Sequence, residues 1–108
     1  MNKSQLKTGR NVIIRDISID DLDEIDNLVE YVLDRGAIVT VHGVSKQKTA
    51  YLRSGIAGGD FDNWGKKPNG SMPPDEVLKQ LSTDEKEECV ELIKETQRIN
   101  PIKPFKSN

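Results

Sequence analysis

Residues 10–18, RNVIIRDIS, decide how this chain is to be read. Val12, Ile13, Ile14 and Ile17 are branched at Cβ, which favours a pleated strand. In a strand, Val12 and Ile14 point to one side, and Asn11, Ile13 and Arg15 to the other. A strand standing alone would leave a row of N–H and C=O groups unmet. Either another segment of the chain or a second copy must supply the partner, and the two solutions lead to different functions.

Helical signals follow this strand. Ser18 can cap a helix with Asp21 in its first turn, Ile17 can staple onto Leu22, and acids crowd the positive end of the dipole. Leu22, Ile25, Leu28, Val29, Val32 and Leu33 then keep a helical period, and Arg35-Gly36 supplies a cationic last turn and a glycine stop. The pattern predicts a helix over Ile19–Arg35. Residues 37–43, AIVTVHG, have strand propensity and read as a second strand or a buried connector. Ser45 offers another cap, for a helix over 46–56 that Gly58-Gly59 terminates.

The second half of the chain is punctuated by turn residues. Residues 59–74, GDFDNWGKKPNGSMPP, form a linker in which Phe61 and Trp64 serve as anchors onto the body. Pro74 opens a short helix over 75–81. Ser82 and Glu85 make a capping box for a helix from Thr83 to about Ile99, with Cys89, Val90, Leu92 and Ile93 on its apolar stripe. The expected divisions are a flexible basic arm (1–9), a body (10–58), the linker (59–74), a helical extension (75–100) and a frayed tail (101–108).

Composition narrows the class. The 108 residues are 34% hydrophobic and 31% charged, and the few aromatics are a thin supply of core that burial between two copies would supplement. The formal net charge of −2 hides blocks. Residues 1–15 carry Lys3, Lys7, Arg10 and Arg15 and no acid. Residues 16–35 carry Asp16, Asp20, Asp21, Asp23, Glu24, Asp26, Glu30 and Asp34 against Arg35 alone. Residues 36–58 return to bases: Lys46, Lys48 and Arg53.

Cys89 and His42 are the only residues of their kinds, which argues against a disulfide or a zinc site and suits a reducing, cytoplasmic setting. No apolar run approaches the roughly 18 residues of a membrane span. No nucleophile, base and orienting group fall into a catalytic pattern, and no cofactor motif is present, so the chain does not read as an enzyme.

Two pairings satisfy the strand. In one, AIVTVHG pairs parallel with NVIIRDI in a small α/β unit of βαβ form. In the other, the strand pairs antiparallel with its copy and the helices of both chains share a core. The second arrangement resembles a known family. NVIIRDIS, the acidic amphipathic helix ending in glycine, and VSKQKTAYLRSGIAGG are similar to ribbon-helix-helix DNA-binding proteins of the Arc/MetJ type, and YLRSGIAGG to plasmid mobilisation accessory proteins and related plasmid or phage repressors. The resemblance covers residues 10–58.

It implies a mainly α homodimer, or a larger assembly, with one N-terminal strand per subunit, an intermolecular antiparallel ribbon and a C-terminal helical extension. Such a dimer would bind duplex DNA sequence-specifically, as a repressor or a mobilisation accessory factor. The ribbon would enter the major groove with Asn11, Ile13 and Arg15 facing bases. Ser45, Lys46 and Lys48, at the start of the second helix, would meet phosphate. The C-terminal helix would serve association or recruit a protein partner. The alternative function is a phage- or plasmid-encoded protein-interaction module that inhibits a host protein through its acidic helices.

Overall fold

In the structure, a computed structural model, residues 2–65 and 70–102 are described, the side chains of 98–102 excepted. In chain order the elements are β1 (Asn2–Gln5), β2 (Asn11–Ile14), α1 (Ile19–Asp26), β3 (Glu30–Asp34), β4 (Ala37–His42), α2 (Val44–Gly55), β5 (Ile56–Gly59), α3 (Asp75–Leu78) and α4 (Thr83–Ile102). Residues 103–108 of the expected frayed tail and 66–69 of the expected linker lie outside the described residues.

The strand of RNVIIRDIS finds both partners within its own chain. β2 is the centre of a three-stranded antiparallel sheet in the order β1-β2-β5. On one side Lys3 lies opposite Ile13 and Ser4 opposite Val12. On the other, Val12 lies opposite Gly59 and Ile13 opposite Gly58. This overturns the expected fold: neither an intermolecular ribbon nor a parallel βαβ pair is formed, and the chain is a mixed α/β structure with two antiparallel sheets rather than a mainly α one.

The physical reasons are local. Residues 2–5, expected as part of a loose arm, extend along β2, and Leu6–Arg10 closes the turn through Leu6 N–H to the Arg10 carbonyl at 2.8 Å. Gly58-Gly59, expected as a helix stop, continue as strand, because α2 leads directly into β5. A Cβ placed on Gly59 would lie 2.4 Å from the Asn11 carbonyl oxygen, so only glycine lets β5 approach β2 this closely.

The main core lies among this sheet, α2 and α4. Val12, Ile14, Ile56, Cys89 and Ile93 are fully buried or nearly so, with Leu6, Ile17, Ile25, Leu52, Phe61, Val77, Leu78, Leu81 and Val90 around them. At Gly55 the α2 backbone touches the Ile93 side chain of α4, where a Cβ would come within 2.6 Å of Cδ1.

A buried polar node ties the N-terminal turn to α4. The Glu85 carboxylate accepts from Thr8 Oγ1 (2.6 Å), Arg10 Nε (3.1 Å) and the Ser82 N–H (2.9 Å), and the Glu85 N–H donates to Ser82 Oγ at 3.1 Å, completing the capping box. Arg10 also donates to the carbonyls of Asp60 and Gln80 and lies over the Phe61 ring, 5.2 Å from its centre. Trp64 meets Phe61 edge-on. Burial pushes the Glu85 carboxyl up, but the three donors together outweigh it and hold its pKa below the usual value.

The first helix is the other correction. α1 starts where expected, with Ser18 Oγ accepting from the Asp21 N–H at 3.2 Å, but it ends at Asp26 with Asn27 as C-cap. Residues expected in its second half form β3, and AIVTVHG forms β4. Together they make a separate two-stranded sheet inserted between α1 and α2.

Candidate interaction surface

The inserted hairpin turns at Arg35-Gly36. Both have positive φ, 53° and 82°, the conformation of a tight two-residue turn whose twist matches its strands. Glycine accepts this freely, whereas Arg35 is an uncommon occupant. Glu30 lies opposite His42, Tyr31 opposite Val41, Val32 opposite Thr40, Leu33 opposite Ile38 and Asp34 opposite Ala37. The register shifts between Val32 and Leu33, leaving Val39 as the extra residue of a bulge.

This bulge sorts the side chains. Cross-strand partners share a face, and alternate residues of a strand share a face. Tyr31, Leu33, Val41, Val39 and Ile38 therefore lie on one side. Glu30, Val32, Asp34, Ala37, Thr40 and His42 lie on the other. Without the bulge, Ile38 and Val39 would point in opposite directions. With it, one face of the hairpin is wholly apolar and carries no charge.

That face is in water. No residue of β3 or β4 is buried, and Tyr31, Leu33, Ile38 and Val39 are each about 60% exposed (60%, 62%, 59% and 58%). Leu28 and Val44, at the hairpin base, are exposed as well. The two strands pack chiefly on each other. The chain's radius of gyration is 15.5 Å, against about 13 Å for a compact chain of this length. An isolated two-stranded sheet is marginal in water, and burying one large apolar side chain stabilises by about 1.5–3 kcal/mol. The hairpin thus forgoes most of the burial its sequence could supply.

Its base is held firmly. At Gly43, φ is +87°, and a Cβ there would come within 1.9 Å of the Leu28 carbonyl oxygen. The Gly43 carbonyl accepts the Gln47 N–H at 2.9 Å, starting α2. Gly43, not Ser45, is the N-cap of α2, and Ser45 is one residue inside the helix.

The six residues expected to bind DNA are divided. Ile13 is buried within the sheet. Asn11 donates from Nδ2 and from its backbone N–H to Asp60 Oδ2, at 3.0 and 2.9 Å. Arg15 donates to the Ser71 carbonyl at 2.8 Å and, more weakly, to that of Ile56. These three are engaged within the chain. Ser45, Lys46 and Lys48 are exposed on the first turns of α2, and Lys48 Nζ pairs with Glu87 at 3.3 Å.

Two other places were open to chemistry. A cleft of about 320 Å³ between α2 and α4 is lined by Lys48, Tyr51, Glu87 and Lys94 among others. There Lys48 pairs with Glu87, Tyr51 Oη donates to Asp26 at 3.2 Å, and Lys94 lies over the Tyr51 ring. The Cys89 thiol is fully buried, and burial, with Glu88 and Glu85 nearby, pushes its pKa up to about 12, so it is an inert core thiol. Among the described residues no group of three or more His, Cys, Asp or Glu could hold a metal ion, and no helix is long and apolar enough to cross a membrane.

The hairpin face is masked in the sequence because residues 30–34 also keep the helical period of the residues before them. The available signal was the run Tyr31-Val32-Leu33 placed symmetrically with Ile38-Val39 about a two-residue Arg-Gly centre. Comparison with protein-family models, with curated proteins and with solved structures gives no match to this chain.

Proposed function

We propose that this protein is a protein-interaction module and that the β3–β4 hairpin is its docking element. One observation carries the reading: an uncharged face of five large apolar side chains stands in water on a sheet of two strands. Contiguous apolar surface on one face, with all the charged residues of the sheet (Glu30 and Asp34) on the other, is the pattern of a sheet covered on one side. The acidic helix α1, expected as the contact element, serves instead as a solvated flank. Duplex DNA binding loses its strand contacts, since Asn11, Ile13 and Arg15 are engaged internally, and would have to rest on Ser45 and Lys46.

The test is a photoreactive phenylalanine analogue at Ile38, with Lys79 on α3 as the control position, in cells producing the full chain. A discrete adduct from Ile38 that Leu33→Glu removes is the expected result. No adduct from Ile38, to any protein including a second copy, refutes the docking reading.

A further inference from the structure

Residues 27–35 carry the signals of two structures at once. In the fold they leave α1 and form β3. Leu28, Val29, Val32 and Leu33 nevertheless continue, at helical spacing, the apolar stripe that Leu22 and Ile25 begin. The backbone keeps part of that path. Asn27 is in the right-handed helical region, and the N–H groups of Asn27, Leu28 and Val29 still donate to the carbonyls of Asp23, Ile25 and Asp26, at 3.0, 3.2 and 3.4 Å. At the other end Gly36 has φ +82°, the left-handed conformation that a helix uses just past its last residue, and Arg35 is a cation suited to a last turn. One glycine in one conformation thus fits both the hairpin turn and a helix stop.

We infer that residues 27–35 are a two-state element: paired with β4 they are β3, and released from it they extend α1 to Arg35. Little holds the hairpin beyond that pairing. None of residues 30–42 is buried, and a lone two-stranded sheet is marginal in water. Among the described residues the ion pairs join Arg10 to Glu85, Lys48 to Glu87 and Arg53 to Asp75, all within the body. Extending a helix that already exists carries no nucleation cost. The body need not move either. A helix from Leu28 to Arg35 is about 10 Å long. Residues 36–43 span up to about 26 Å when extended, enough to return to Gly43 beside the Leu28 carbonyl.

Charge sets the balance toward the hairpin. In the helix Asp26, Glu30 and Asp34 would stack at i, i+4 spacing, with the last two near its negative end, and both effects disfavour it. In the hairpin Glu30 lies opposite His42 and Asp34 opposite Ala37, so neither faces an acid across the strands. The two forms also differ in surface. Tyr31 and Leu33 share a face in β3, but residues two apart on a helix point about 200° apart. The apolar face is therefore present only in the hairpin form, and whatever occupies it holds that form. The equilibrium itself belongs to the pure chain, with or without a docked partner.

The experiment is nuclear magnetic resonance on the full chain with residues 37–42 replaced by alternating glycine and serine. This removes β4 and leaves residues 19–36 and Gly43 in place. Cα shifts of residues 28–35 in the helical direction are expected, and coil shifts there overturn the two-state element. Where that chain does not fold, saturation-transfer measurements on the wild type and on Glu30→Gln with Asp34→Asn decide. A minor form with helical Cα shifts over 28–35 is expected, raised about fivefold by the double variant, which removes the stacked acids. A minor form with coil shifts, a population that the double variant does not raise, or no exchange in either chain overturns it. An Ile38 photo-adduct without the helix leaves the docking reading standing alone, and the helix without an adduct leaves the two-state element standing alone.

Discussion

Replacing Glu85 with Gln tests the account of what holds the body together. Gln preserves the shape and leaves an oxygen for the Ser82 N–H, but removes the charge facing Arg10 and Thr8. The Glu85 side chain is 7% exposed and that of Arg10 23%, so the pair is poorly screened. Stranding a fully buried charge costs about 3–5 kcal/mol. Arg10 keeps the Asp60 and Gln80 carbonyls and the Phe61 ring, so a smaller cost of about 2 kcal/mol is expected, in line with loss of charged hydrogen bonds. In a domain near 100 residues this lowers Tm by about 10 °C.

Trp64 fluorescence is a suitable probe, since its ring meets Phe61 beside the node. The pH dependence adds a sign. The folded-state pKa of Glu85 lies below its ordinary value of 4.5, so its contribution is fully present above that value and is lost as pH falls through the folded one. The gap between wild type and Glu85→Gln should therefore be widest at neutral pH and close in acid. An unchanged Tm at neutral pH, or a gap that persists in strong acid, would refute the reasoning.

Other substitutions separate body from hairpin. Gly43→Ala sets a Cβ against the Leu28 carbonyl at a positive φ, so hydrogen exchange in residues 30–42 should speed up while the core amides stay protected. Arg15→Ala removes a charged donor to the Ser71 carbonyl and should cost about 1–2 kcal/mol in denaturant unfolding, whereas a purely DNA-facing Arg15 would leave stability unchanged. A thiol-reactive dye should label Cys89 only under unfolding conditions, and rapid labelling of the native chain would contradict its burial. Replacing residues 30–42 by a short glycine linker should leave the body folded, because none of them is buried. Loss of cooperative unfolding would show that the hairpin is part of the core.

Features set by neighbours in sequence were legible, and those set by distant pairing were not. Ser18 and the Ser82–Glu85 box act within one helical turn, and both cap as their residue types imply. The stripe of α4 and the anchoring of Phe61 follow from apolar side chains seeking burial. β1 has the sequence Asn-Lys-Ser-Gln, without an apolar face, and is recruited only because β2 needs an edge partner. The end of α1 was hidden by an ambiguity: Leu28, Val29, Val32 and Leu33 fit a helical period, yet the Tyr31–Leu33 run serves a strand equally well. What decides it is the pairing across Arg35-Gly36, where an arginine at positive φ replaces the usual Asn or Asp signal. The same ambiguity hides the candidate surface, since an apolar residue on a helix stripe goes to the core and the same residue on an outward hairpin does not.

The placement of the hairpin argues for its role. The body is closed by elements that bypass it: β1, β2 and β5 form the sheet, α2 packs on α4, and Arg10 joins Glu85 to Asp60 and Gln80. The insertion begins and ends at one point, where Gly43 passes the Leu28 carbonyl, so its presence leaves the path of α2 into β5 undisturbed. An excursion needed only to connect α1 to α2 would be short and polar. This one carries Tyr31, Leu33, Ile38, Val39 and Val41 into water, and a bulge keeps them on one side. Exposed strands with apolar faces invite aggregation unless their contact is specified. Here acids on the far side and around its base, Glu30 and Asp34 among them, confine any contact to that one face.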